Sequence, residues 1–159
     1  MTDIEEIYKL YFNDVYKYLL SLSYDKMLAE DISQETFYKA MKNISAFKGD
    51  CSIRVWLCQI AKNTFYSHKR KEKGRSVNID DFEFPDVSNL ERLVIHKEEA
   101  KQILNILEKM DDPYREVFNM RYFADMSFAT IGEIKSKSES WARVTYHRAR
   151  KKIMEEINE

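Results

Sequence analysis

The residues best suited to chemistry lie near the carboxyl end. Between Ile134 and Lys152 stand seven Lys/Arg and one acid, an excess of six positive charges. The run Ser138-Glu139-Ser140-Trp141-Ala142-Arg143-Val144-Thr145-Tyr146-His147-Arg148-Ala149-Arg150-Lys151-Lys152-Ile153 has no glycine or proline and opens on a hydroxyl residue fit to cap a helix. As a helix it buries Ala142, Thr145, Tyr146, Ala149 and Ile153 at the i, i+3, i+4, i+7 spacing and turns Glu139, Ser140, Arg143, His147 and Arg150 outward. Such a face suits a phosphate backbone.

The preceding residues must position that helix. Ser127-Phe128-Ala129-Thr130-Ile131-Gly132-Glu133-Ile134 has the form of a short capped helix, and Lys135-Ser136-Lys137 is a connection of helix-turn-helix length. Gly132 and Ala142 place minimal side chains where the two helices would cross. An ordinary αα-hairpin with a solvated basic face fits the same periodicity, so the rest of the chain must decide.

In 159 residues there are three glycines and two prolines, 44% of the chain is hydrophobic and 13% aromatic. Packed cores with little turn punctuation imply an all-α protein rather than strands and hairpins. Formal charge is only −1, yet it is segregated: 62–75 carries six bases and one acid, and 78–99 carries seven acids and two bases. Two basic faces separated by an acidic stretch are expected, and neutralising Asp80, Asp81 and Glu83 should ease binding to free DNA. The two cysteines, Cys51 and Cys58, are expected as reduced thiols, too far apart along a helix to bond. No metal-ligand spacing, signal peptide or membrane-length apolar run is present. A cytoplasmic protein with no metal and no cofactor is therefore expected.

Along the chain, Ile4, Ile7, Tyr8, Tyr11, Val15, Tyr18, Leu19 and Leu22 mark a long amphipathic helix over 3–23. Asp25 then caps a second, whose Leu28, Ala29, Ile32, Thr36, Phe37, Ala40, Met41 and Ile44 should face inward. Outside it lie Glu30, Asp31, Gln34 and Glu35, which suit a solvated face, a carboxylate metal site or a docking patch for a basic partner. Opposed ligands from a second element, which a metal needs, are not visible. A loop over 45–52 precedes a third helix that buries Ile53, Trp56, Leu57, Ile60 and Ala61. Towards its end gather Lys62, Asn63, Tyr66, His68, Lys69 and Arg70, an interleaving of cations and rings that unstacked single strands call for. Periodicity lapses over 74–89, around Pro85, which implies a flexible linker at 74–90 between two small helical domains, 1–73 and 91–159. In the second, Leu93 to Met110 forms an amphipathic helix, Asp111-Asp112-Pro113 a stop and restart, and Tyr114 to Phe123 a helix burying Val117, Phe118 and Tyr122.

These residues together resemble a known family. Leu28-Ala29-Glu30-Asp31-Ile32-Ser33-Gln34-Glu35-Thr36-Phe37, then Phe47-Lys48-Gly49-Asp50 through Trp56-Leu57 to Ile60-Ala61-Lys62-Asn63, is similar to the second conserved region of bacterial RNA polymerase sigma factors. Asp112-Pro113-Tyr114-Arg115-Glu116-Val117-Phe118, Arg121-Tyr122-Phe123, Ser127-Phe128 and Ser138 to Arg150 are similar to the fourth. Order, spacing and length resemble the extracytoplasmic-function subgroup, which keeps only those two domains.

The resemblance implies an initiation factor, not itself an enzyme, that binds core RNA polymerase and promoter DNA. Asp31, Gln34 and Glu35 match the motif that docks on the clamp helices of the polymerase largest subunit, and the flap of the second subunit is a further implied partner. Phe47, Lys48, Gly49, Asp50, Cys51 and Ser52 match the loop that captures a flipped base of the minus-ten element, whose extrusion costs a few kcal/mol. Asn63, His68, Lys69 and Arg70 fall where the next helix meets the upstream strand. Ser140, Arg143, Thr145, His147 and Arg148 fall on or beside the helix that reads the minus-thirty-five element. An anti-sigma protein is an implied partner as well. Three positions depart from the pattern: Ser67 stands for an Asp, Ser136 for the corner glycine and Gly132 for an alanine. A free-standing helix-turn-helix regulator leaves the acidic motif and the Phe47 loop unexplained; a nuclease would need convergent carboxylates, and a pure interaction module needs no basic helix.

Overall fold

The computed structural model describes residues 3–72 and 97–158, and its helices begin and end where the sequence supplies caps. The Asp3 carboxylate accepts the Glu5 amide at 3.0 Å and starts α1 (Ile4–Ser23). That helix stops at Tyr24, whose backbone is left-handed (φ 54) and whose N–H donates to the Leu20 carbonyl at 2.9 Å. Asp25 then accepts the Met27 and Leu28 amides at 3.1 and 3.2 Å, opening α2 (Lys26–Asn43). A 3-10 turn (Ile44–Ala46) leads into the loop before α3 (Ile53–Glu72), where the Ser52 carbonyl accepts the Trp56 amide at 3.0 Å. The expected linker at 74–90 and Leu93 lie outside the described residues.

The chain resumes with α4 (Lys97–Glu108), α5 (Tyr114–Phe118), a π turn (Asn119–Phe123), α6 (Phe128–Ile134) and α7 (Glu139–Ile157). The fold is all-α, with no strand among the described residues. Val15 and Leu19 of α1, Ile32, Phe37 and Ala40 of α2, and Leu57, Ala61 and Phe65 of α3 are buried together. Ile103, Leu104 and Leu107 of α4 are buried with Phe118, Phe123, Ala149 and Ile153.

Several expected core positions fall elsewhere. Met41 faces solvent at 48% exposure in the last turn of α2, on the side away from the buried Ala40. In α3 the buried stripe passes through Val55, Cys58 and Thr64, leaving Ile53, Trp56 and Ile60 half-buried. Cys51 precedes that helix, so only Cys58 lies on it; both thiols are free, and burial pushes the Cys58 thiol up to about 12. In the C-terminal part, the Ala124 N–H reaches back five residues to the Asn119 carbonyl at 3.2 Å. The widened turn advances the register, so Phe123 is buried and Tyr122 is not.

Ser127 accepts the Thr130 amide at 3.1 Å and Ser138 the Trp141 amide at 3.0 Å, so both helices of the α6–α7 pair carry hydroxyl N-caps. The corner between them takes Ser136 through a left-handed backbone (φ 58), and the Lys137 N–H closes it on the Gly132 carbonyl at 2.7 Å. A left-handed backbone strains any residue with a Cβ. Ser136→Gly is therefore expected to stabilise the C-terminal helices by about 1 kcal/mol, read as a higher urea midpoint at unchanged slope.

The N- and C-terminal helices also touch. α1 lies along the π turn and α3 along α6. Val117, Met120, Ala124, Met126 and Ile131 join the same buried cluster as α1–α3, while Tyr24 inserts among the residues buried by α4 and α7.

Candidate nucleic-acid interface

On α7 the residues not needed to hold the helix face solvent. Ser140, Arg143, His147 and Arg148 are exposed, as are Glu139 and Arg150. Arg143 pairs with Glu139 at 3.0 Å, and its guanidinium stands 5.3 Å from the Phe128 ring centre. Phe128 also receives Arg121 at 4.4 Å and lies 6.3 Å from the His147 ring. The aromatic residue of α6 thus props the outward side chains Arg143 and His147 of α7. An exposed pair of this kind is worth at most about 1 kcal/mol, so Arg143 can leave Glu139 for a base edge.

Thr145 lies where the helical spacing expects it, on the buried stripe, and not on the outward face with the other residues that the resemblance singles out. It is 5% exposed and lies on the same stripe as Ala142 and Ala149, so it packs the helix down and cannot enter a groove. Val144, one residue earlier, is 47% exposed. Its methyl groups stand on the outward face beside Arg143. The signal was present in the sequence, as an apolar residue off the buried stripe beside Arg143.

The second surface begins at the loop before α3. The Phe47 ring packs on Trp56 at 5.0 Å, which anchors the start of the loop on α3. Lys48, Gly49, Asp50 and Ser52 are exposed and Cys51 is half-buried. Gly49 turns the chain with φ 78, a conformation that L side chains avoid. The Ser52 hydroxyl accepts the Val55 amide at 3.2 Å. Further along α3, Asn63, His68 and Arg70 are exposed and Lys69 half-buried. Arg70 donates to Ser67 at 3.2 Å, and Lys69 pairs with Glu72 at 3.4 Å and lies 5.8 Å from the Phe65 ring.

The third surface is acidic. Asp31, Gln34 and Glu35 are exposed one turn apart on α2. Gln34 is held by donating its amide to the Tyr8 hydroxyl at 3.0 Å, and Tyr8 packs on Phe37 at 5.1 Å. Glu35 pairs with Lys39 at 3.6 Å, and Lys39 donates to Thr64 of α3 at 3.1 Å. Met27, Tyr38 and Met41, at 74%, 54% and 48% exposure, continue the same stripe. Exposed apolar residues flanking carboxylates mark a contact surface better than carboxylates alone. Among the described residues, no group of acidic, histidine or cysteine side chains converges as a metal site would.

Two family models match the chain, Sigma-70 region 2 over residues 7–75 and Sigma-70, region 4 over residues 100–153. The ECF RNA polymerase sigma factor SigM of Bacillus subtilis (strain 168) is 34% identical over 151 residues, covering 94% of this chain and 92% of that protein. The RNA polymerase sigma factor YlaC of the same organism is 30% identical, covering 92% of this chain and 87% of its own length. Among solved structures, the sigma factor RpoE, in complex with the anti-sigma factor NepR from Bartonella quintana, superposes with a TM-score of 0.59. It shares 21% identity and covers 99% of this chain and 98% of its own. CnrH, in complex with the cytosolic domain of CnrY, gives 0.58 at 19% identity, covering 98% of this chain and 87% of its own. The fold is the same in both. An acidic patch on α2, a basic loop-and-helix surface on α3 and an outward basic helix in a helix-turn-helix occur here in family order. The chain belongs to the extracytoplasmic-function RNA polymerase sigma factors, which direct promoter-specific initiation of transcription.

Proposed function

We propose a division of labour among the three surfaces. Asp31, Gln34 and Glu35 dock on the basic clamp helices of the polymerase largest subunit, with Met27, Tyr38 and Met41 as apolar flanks. The loop over 47–52 takes a flipped base of the minus-ten element, while Asn63, His68, Lys69 and Arg70 hold the upstream strand and its phosphates. Ser140, Arg143, His147 and Arg148 read the minus-thirty-five duplex, with Val144 added and Thr145 removed from the set. The C-terminal helices meet the flap of the second subunit, and the whole acts in the cytoplasm where polymerase works. No helix among the described residues is long and apolar enough to cross a membrane. A sequestering anti-sigma partner, of the kind RpoE has in NepR, fits this reading.

The observation that carries it is the placement of opposite charge on separate faces: carboxylates on α2, cations on the end of α3 and on α7. A regulator binding duplex alone has no use for the first. Run-off transcription with core polymerase is the test: promoter-dependent transcripts support the reading, and a mobility shift of duplex DNA without polymerase-dependent initiation overturns it. Within that assay Arg143→Ala is expected to relax preference at one upstream position, costing about 1–3 kcal/mol there. Competition between matched and mismatched upstream duplexes reads the loss.

A further inference from the structure

A row of aromatic rings runs from the buried centre of the C-terminal helices to the outward face of α7. Phe118 is buried, and the Tyr146 ring lies nearly parallel to it at 5.6 Å. Phe128, the first residue of α6, is half-buried and meets the Tyr146 ring at 5.7 Å. Arg121 also holds this ring: its Nη1 donates to the Met126 carbonyl at 3.0 Å, and its guanidinium carbon stands 4.4 Å from the ring centre. At the end of the row the Arg143 guanidinium carbon lies over Phe128 at 5.3 Å. The Phe128 ring is thus placed by the core and by a tethered cation, and Arg143 is the member of the group that stands exposed.

The two contacts of Arg143 differ in what they leave free. Glu139 takes Nη2 at 3.0 Å, a donor that a guanine edge would need. An aromatic ring attracts the cation through the negative charge of its face and consumes no N–H. A base can therefore replace the carboxylate without displacing the ring. Arginine has several rotatable bonds, and an unsupported one loses that freedom on meeting a base, which weakens the contact. A ring that already holds the guanidinium removes much of that loss before DNA arrives. Leucine at this position would fill the space and offer the cation no charged face.

We propose that Phe128 is a positioning residue for promoter selectivity: its ring holds Arg143 ready for a base edge in the upstream duplex. Phe128 then sets how sharply one base is preferred, acting through Arg143 rather than by a base contact of its own. The proposal rests on the reading of Arg143 given above.

Run-off competition with core polymerase, between the preferred upstream element and variants of it changed at single positions, reads preference as a ratio of transcripts. Arg143→Ala is expected to lower that ratio at one position, and Phe128→Leu to lower it several-fold at the same position with helix content intact. Phe128→Tyr, which keeps the ring, is expected to retain the preference. The double variant Phe128→Leu/Arg143→Ala is expected to be no worse there than Arg143→Ala, because one residue acts through the other. In the free full-length chain the Arg143 side-chain protons should resonate upfield of those of an exposed arginine, shifted by the ring, and return to ordinary positions in Phe128→Leu. Preference retained by Phe128→Leu overturns the proposal, as does a double variant that adds both losses or an unshifted Arg143 in the wild-type chain. Should Phe128→Leu lose helix content, a fluorinated phenylalanine in place of Phe128, which keeps the shape and drains charge from the ring face, decides: unchanged preference overturns the proposal. Arg143→Ala without effect at any position overturns the reading of Arg143 itself, a result distinct from a loss in Arg143→Ala with none in Phe128→Leu.

Discussion

Gly132→Val is expected to abolish upstream duplex binding while leaving α1–α3 folded. A Cβ at this position would sit 2.6 Å from the Ser138 carbonyl oxygen, 2.8 Å from its carbon and 2.9 Å from the Lys137 oxygen. All three are backbone atoms in the corner that launches α7, and no rotamer change can clear them. Overpacking of a well-filled site costs typically about 1–3 kcal/mol, and a branched side chain against main chain belongs at the upper end. The α6–α7 angle must open, so the outward face of α7 leaves the geometry that a groove requires. Urea unfolding followed at Trp141 should show the loss, together with a fall in affinity for minus-thirty-five duplex. Retained duplex affinity would mean that the corner tolerates a wider turn than the closure of Lys137 on Gly132 implies.

The double substitution Asp31→Lys/Glu35→Lys is expected to weaken association with core polymerase by more than 100-fold, about 3 kcal/mol. Setting cations against a basic clamp replaces attraction by like-charge contact, which costs several kcal/mol. Both side chains are exposed, so the fold should survive, although the Glu35–Lys39 pair at 3.6 Å is lost. Affinity of the isolated chain for duplex DNA should be unaffected, because α7 is untouched. Fluorescence titration of labelled factor with core polymerase gives the first quantity and duplex anisotropy the second. Unchanged polymerase affinity would remove the acidic patch from the docking role.

Much of this architecture is written locally. Asp3, Asp25, Ser127 and Ser138 start helices because a short oxygen-bearing side chain satisfies orphan amides, and each is visible as a residue type just before an apolar periodic run. Gly132 was legible as a crossing point for the same reason: it is small where two helices must approach. The misplaced residues share a different cause. Tyr122 and Phe123 exchanged roles because a π turn has no side-chain signature and breaks the 3.6-residue count on which burial was assigned. Met41 was assigned inward by periodicity, which cannot tell where a neighbouring helix stops. Thr145 carried two readings, buried by spacing and base-reading by resemblance, and the spacing was the sounder guide to its position. The contacts of Arg54 and Tyr24 with the other half of the chain left no trace in sequence, because pairing across 79 and 95 residues is settled only by how preformed helices dock.

The π turn has a consequence for how this chain can vary in length. A turn with one residue too many is a phase shift stored in the backbone, and the Tyr24 hydroxyl and Phe123 ring are aligned to that phase. Each residue of an ordinary helix advances the azimuth by about 100°. A deletion inside the turn would let its five residues close as four of common pitch, so the loss is taken up locally and what it disturbs is the phase that sets Asn119 and Phe123 against Tyr24. A one-residue deletion here should therefore be felt at the Tyr24 contacts rather than in the direction of the helices that follow.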